Sequence, residues 1–373
     1  ALLSIMRLAI KYSKFNLILM RFTLLKNTVL LFIFLAFSCG STTKSDVGNN
    51  STTVTTSKTV DVITNTKTLP IIVGANQTQR YLSVIQGKRV GIIANQTSVV
   101  FKENNTYTHL VDSLVALDIN VKKVFAPEHG FRGNADAGEL VKDGLDTKTG
   151  LPIVSLYGKN KKPSKTQLQD LDIVVFDIQD VGARFYTYIS SLHYVMEACA
   201  EQNIPMLILD RPNPNGHYID GPILEAEHKS FIGMHPIPVV HGMTIGEYAQ
   251  MINGEGWLTD KVTCNITVIP VENYTHNTPY NLPIKPSPNL PNDISINLYP
   301  SLCFLEGTNV SLGRGTSLQF QIYGAPTFPK TDYQFTPQPN HGAKYPKHKN
   351  VVCNGYNLTK TPRLEHLDLS YLI

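Results

Sequence analysis

Unbroken apolar runs at 89–95, 121–128, 172–177 and 204–210, with a shorter one at 151–156, restrict this chain more than any other feature. A strand with one wet face alternates apolar and polar residues. A continuous apolar run therefore marks a strand buried on both faces, as in a parallel sheet. Between these runs, 108–117 repeats Leu and Val at helical spacing, and 188–201 is amphipathic. Strand–helix alternation predicts an α/β fold with a doubly wound, mostly parallel sheet. After Trp257 the texture changes. Residues 275–300 are rich in Pro and Asn and read as a long loop, and 300–326 are glycine-punctuated and more strand-like. The expected division is a larger domain over 71–270 and a smaller α+β domain over 271–373, with a piece missing from its C-terminal end.

The N-terminal part reads as an address. Residues 20–26 are a short basic stretch, and an apolar run over 29–37 leads to Ser38-Cys39-Gly40. That run is too short for a comfortable membrane span and fits a signal segment over 1–39, with the true start at Met20. Leu35-Ala36-Phe37-Ser38-Cys39 resembles a bacterial lipoprotein signal, which makes Cys39 the expected lipidation site. Residues 40–70, rich in Ser, Thr, Asn and Lys, lack the apolar surface to fold and suit a tether. The expected location is the cell envelope, as a periplasmic or outer-membrane lipoprotein held to the membrane through a lipid anchor. Residues 1–39 hold Arg7, Lys11, Lys14, Arg21 and Lys26 and no acid, so without them the formal net charge of +4 becomes −1. A near-neutral body argues against a nucleic-acid partner.

In open α/β sheets the ligand lies beyond the carboxyl ends of the strands. Four runs end in polar clusters there: Asn95-Gln96-Thr97, Glu128-His129-Gly130, Asp177-Ile178-Gln179-Asp180 and Asp210-Arg211-Pro212-Asn213. Asp and Asn also cap helices routinely, so capping is the competing explanation for any one of them. Carboxylates gathered on one rim suit general acid/base chemistry. Glu128, after an apolar strand and a proline, is the first candidate, and Asp177 and Asp180 are alternatives for a second carboxylate. Arg132, Arg184, Arg211 and Arg314 are candidates for a ligand carboxylate or for internal ion pairs. His241 is a further candidate for the same cleft. Cys199, Cys264 and Cys303 read as small buried hydrophobes. There is no CxxC, HExxH, GxSxG elbow, P-loop or trusted metal-ligand spacing, so neither a metal nor a cofactor is expected.

Several of these clusters form longer motifs. Gly91-Ile92-Ile93-Ala94-Asn95-Gln96-Thr97 and Phe125-Ala126-Pro127-Glu128-His129-Gly130-Phe131-Arg132-Gly133 resemble the exo-β-N-acetylmuramidase family. So do Asp177-Ile178-Gln179-Asp180-Val181-Gly182-Ala183-Arg184-Phe185-Tyr186-Thr187-Tyr188 and Leu209-Asp210-Arg211-Pro212-Asn213-Pro214. Pro286-Ser287-Pro288-Asn289-Leu290-Pro291 and the stretch from Glu306 through Asn309 to Arg314-Gly315-Thr316 continue the likeness, which runs from about 82 to 330. It implies a Rossmann-like domain joined to a smaller one with the site in a cleft between them. It also implies release of N-acetylmuramic acid from the non-reducing end of peptidoglycan-derived saccharides, with Glu128 as the catalytic glutamate. The arginines would then meet the lactyl carboxylate. Asn95, Asn213 and Asn309 would bond hydroxyls and the acetamido group, and Tyr186 or Tyr188 would stack on a sugar. His129, Asp210 and Glu306 complete the expected binding set. A non-catalytic binding protein for cell-wall sugar fragments on the same scaffold is the alternative.

Overall fold

Alternate side chains of the buried strands feed two separate cores. In β1 (Val90–Ala94), Ile93 joins one apolar cluster and Ile92 the other. In β7 (Ile173–Asp177), Val174 and Phe176 face the first, and Ile173 and Val175 the second. In β8 (Met206–Leu209), Met206 and Ile208 part from Leu207 and Leu209 in the same way. This is the two-period of a strand with helices on both sides.

The computed structural model describes residues 69–133, 139 and 143–373. The expected signal segment, Met20, Cys39 and nearly all of the tether lie outside the described residues. The described residues fall in one unit, Lys67–Ile373. Its main sheet has seven strands and also contains β4 (Val121–Ala126), β5 (Gly144–Leu145), β6 (Pro152–Ser155) and β9 (Ile266–Ile269). The order is β5-β6-β4-β1-β7-β8-β9, and every pairing is parallel except β5 with β6. Without the antiparallel edge strand, six parallel strands run 3-2-1-4-5-6 in chain order, the doubly wound Rossmann arrangement. Helices α1 (Thr78–Ile85) and α2 (Leu110–Ala116) cover one face. The other is covered by α3 (Lys165–Leu168), α4 (Tyr188–Glu201), α5 (Ile245–Gly254) and α6 (Asp293–Leu302). A smaller antiparallel sheet, β10-β12-β11, is built from Ile322–Ala325, Cys353–Asn357 and Tyr333–Phe335.

Two expectations need correction. The helical reading of 108–117 starts too early. Tyr107–His109 is a strand, β3, paired with β2 (Val99–Phe101), and His109 caps α2 by accepting from the Val111 amide at 3.2 Å. The long loop expected over 275–300 ends in α6, which also occupies the start of the stretch read as strand-like. Pro300 sits inside α6 and cannot donate to the Ile296 carbonyl one turn back. Asn215 Nδ2 supplies that bond instead, at 3.0 Å. Asn292 and Ser295 form a capping box at the other end. Within 300–326 only Ile322–Ala325 is strand.

Candidate active site

Glu128 leaves the end of β4 half-buried, and each of its carboxyl oxygens accepts a hydroxyl. Tyr157, just past β6, donates to Oε1 at 3.1 Å; Thr187, on the segment after β7, donates to Oε2 at 2.9 Å. Two strand ends and the N-cap of α4 therefore orient one carboxyl. Burial and the adjoining Glu128 carboxylate push the Tyr157 hydroxyl up to about 12, so it keeps its proton at ordinary pH. His129 next to Glu128 is buried, with φ at 68°. That left-handed conformation turns the chain sharply away from β4.

Glu128 and His129 open into a cavity of about 1460 Å³. Its walls come from the ends of β4, β6 and β7, from a long segment after β8, and from the C-terminal third of the chain, including 342–347. Of the expected site residues, the cavity gathers Glu128, His129, Arg184, Tyr186, Glu306 and Arg314. Tyr186 is buried and donates to the Pro286 carbonyl at 2.9 Å. Arg184 donates from Nη1 to the carbonyls of Pro222 and Ile237, both at 2.6 Å, and forms no ion pair among the described residues. Burial lowers its affinity for the proton slightly, but a guanidinium stays charged regardless. Arg314 is bound to Glu306 at 2.6 Å and lies over the Phe320 ring.

The remaining candidates do not line the cavity, and their partners explain why. Asp177 is fully buried and grips Arg211 with both oxygens, at 2.6 Å to Nε and 2.9 Å to Nη2. Arg211 also donates to the Val99 carbonyl. The pair closes the crevice between β1 and β7, where the strand order reverses and where such sheets ordinarily seat a ligand. Asp180 accepts from the Gly182 amide at 2.7 Å and faces buried His241 at 3.5 Å. Asp210 holds the start of α5, accepting from the Gly246 amide and the Thr244 hydroxyl, each at 2.8 Å; burial raises its carboxyl to about 6. Arg132 is shared between Asp112 and Asp146 and stacks on Phe131. Asn95 locks its own turn by accepting from Thr97. Asn213 does the same for Asn215 and packs against Gly182, where a Cβ would fall 2.3 Å from its Oδ1. Asn309 is exposed, and its carbonyl accepts from His348. Most of these contacts tie the strand ends to neighbouring segments. Tyr157 and Thr187, which bond the Glu128 carboxyl, are residues that sequence reasoning passed over. Tyr157 follows the short third run, and Thr187 lies within a quoted motif, so both had a signal.

Family models for exo-β-N-acetylmuramidase NamZ match the chain twice, the N-terminal model at 90–294 and the C-terminal model at 297–371. The chain belongs to the exo-β-N-acetylmuramidase family. A curated relative, peptidoglycan β-N-acetylmuramidase NamZ of Bacillus subtilis strain 168, is 42% identical over 300 residues, covering 76% of this chain and 70% of that protein. Two crystal structures of DUF1343 family proteins from Bacteroides fragilis NCTC 9343 share the fold. One has a TM-score of 0.74 at 50% identity over 82% of each chain, the other 0.67 at 30% over 79% of each. The cavity draws on both matched regions, since Glu128 and Arg184 lie in the first and Glu306, Arg314 and Tyr345 in the second. The expected joining of a Rossmann-like domain to a smaller one is thus the family's own arrangement.

Proposed function

We propose that this chain is an exo-acting glycosidase that releases N-acetylmuramic acid from the non-reducing end of peptidoglycan fragments, with Glu128 as acid/base. The observation that carries the reading is the kind of partner Glu128 has. A general acid must exist in both protonation states during turnover. Hydroxyl groups both donate and accept, so Tyr157 and Thr187 can reverse a hydrogen bond when Glu128 gains a proton and still hold its orientation. An arginine partner favours the ionised carboxylate alone, as Arg211 does for Asp177 against the burial that raises that carboxyl. Glu128 combines a place in the cavity with two hydroxyl partners that tolerate both states.

Arg184 supplies the second element. A guanidinium in the cavity without an acidic partner is suited to the lactyl carboxylate of muramic acid, which N-acetylglucosamine lacks. The protonated Glu128 would deliver its proton to the glycosidic oxygen as the bond to the leaving sugar breaks, and the resulting carboxylate would deprotonate the incoming water. The reading includes export and anchoring in the cell envelope through lipidated Cys39, which the basic and apolar stretches ahead of that cysteine support.

The test is release of N-acetylmuramic acid from a muramic acid–N-acetylglucosamine disaccharide by the purified chain and by Glu128→Gln. Release by the former, and loss of at least about a hundredfold in the latter with an unchanged circular dichroism spectrum, is expected. Tight binding without turnover by the unaltered chain would instead favour a sugar-binding protein. Turnover retained in Glu128→Gln would remove Glu128 from the mechanism.

A further inference from the structure

The cavity is larger than its chemistry needs. Pockets that enclose a small ligand usually run from about 300 to 1,000 Å³, and this one measures about 1460 Å³. Its lining is also uneven in exposure. Tyr186 and Tyr299 are each 8% exposed, whereas Ile232, Phe304 and Tyr345 are 62%, 38% and 90% exposed. Large apolar groups left exposed in the lining of a cavity usually mark a surface that a ligand covers.

The segment that carries Tyr345 is tied down on both sides. Asn289 Nδ2 donates to the Gly342 carbonyl at 2.7 Å. Lys347 Nζ donates to the carbonyls of Glu306, Thr308 and Val310. The Lys347 bonds hold this segment against the one that follows Phe304, and the Phe304 ring packs edge-on against Phe185 at 5.7 Å. The exposed Tyr345 ring thus sits between two fixed points and not at the tip of an untied loop.

The geometry points to a second binding region in the same cavity, formed by Tyr345, Phe304 and Ile232, that takes the saccharide units following the scissile bond. The ligand class is an alternating amino-sugar glycan of four or more units, whose pyranose faces present C–H groups to an aromatic ring. This inference rests on the glycosidase reading and extends it: the chain would favour glycan strands over disaccharides. Glu128 and the exposed Tyr345, Phe304 and Ile232 line one cavity. A terminal sugar would fill the first region, and the remainder of the strand would cover the second.

The experiment measures binding of muramic-acid-terminated disaccharide and tetrasaccharide to Glu128→Gln by calorimetry, with and without Tyr345→Ala, Tyr345→Phe and Phe304→Ala. A roughly fivefold to thirtyfold tighter binding of the tetrasaccharide is expected, of the order that one or two ring contacts provide (about 1 kcal/mol each). Tyr345→Ala and Phe304→Ala should each cut that ratio, and Tyr345→Phe should keep it. Equal affinity for the two glycans, or a ratio that survives Tyr345→Ala combined with Phe304→Ala, would overturn the inference. Hydrolysis of a chromogenic muramic acid glycoside by the unaltered chain is measured in parallel. It reads the glycosidase assignment alone, so failure of that assignment and failure of the extended subsite are told apart.

Discussion

Replacing Asp177 with alanine separates a structural role from a catalytic one. Both residues of the Asp177–Arg211 pair are almost inaccessible, at 0% and 3%, and are joined by two bonds of 2.6 and 2.9 Å. The truncation leaves the Arg211 guanidinium buried with only the Val99 carbonyl as a recorded partner. Stranding one charge of a buried pair costs about 3–5 kcal/mol. For a folded unit of about 300 residues, with an unfolding entropy near 2.1 cal/mol/K per residue, that lowers Tm by roughly 5–8 °C. The assay is thermal unfolding by circular dichroism, alongside turnover of the disaccharide by whatever fraction stays folded. Asp177→Leu combined with Arg211→Met should recover much of the lost stability, because no charge is then left unmatched. An Asp177→Ala protein that unfolds at the unaltered temperature but has lost turnover would refute this reasoning and return Asp177 to the list of catalytic groups.

Arg184→Ala should weaken binding of N-acetylmuramic acid by roughly 10- to 100-fold, the worth of charge-assisted hydrogen bonds, and leave N-acetylglucosamine nearly unaffected; equal losses for the two sugars would make Arg184 structural. The Arg132 cluster predicts an acid-side stability slope. Burial alone would raise Asp146, but bonds from Arg132 and Thr149 outweigh it and hold it at about 2, and Arg132 and Lys148 likewise hold Asp112 low against burial. A carboxyl depressed on folding contributes stability that is present above its unfolded pKa of about 4 and is lost as pH falls toward 2. Arg132→Ala should therefore lower Tm near neutrality and flatten the decline between pH 4 and 2. An unchanged slope in urea titrations across that range would contradict the assignment.

The main sheet was legible because its interior strands are wet on neither face. Ile92, Ile93, Val174, Val175 and Phe176 all had to be apolar. Helix α6 was hidden for the opposite reason. It is buried yet carries Ser295, Asn297 and Pro300, and partners outside the helix, Asn292, Asn215 and Leu364, make such a composition workable. At the site, the sequence showed where carboxylates leave the strands but not which way they turn. Glu128 and Asp177 look alike as residues that end apolar runs. One meets two hydroxyls in a cavity and the other meets an arginine that arrives from 34 positions along the chain. Direction of this kind depends on contacts between distant segments, which spacing alone does not carry. The same holds for 342–347, whose proline and two lysines gave no hint that it would wall the cavity.

The hydroxyl clamp on Glu128 has a consequence for the timing of folding. Its three members come from the ends of β4 and β6 and from the start of α4, which follows β7, and β1 lies between β4 and β7 in the sheet. No local hairpin or single helix brings them together, so a nascent or half-assembled chain holds no oriented carboxyl. Hydrolytic competence should therefore arrive late during refolding, after the helical signal has returned and only once the centre of the sheet has closed. A chain built this way carries its own safeguard against acting on glycan strands before it is fully assembled.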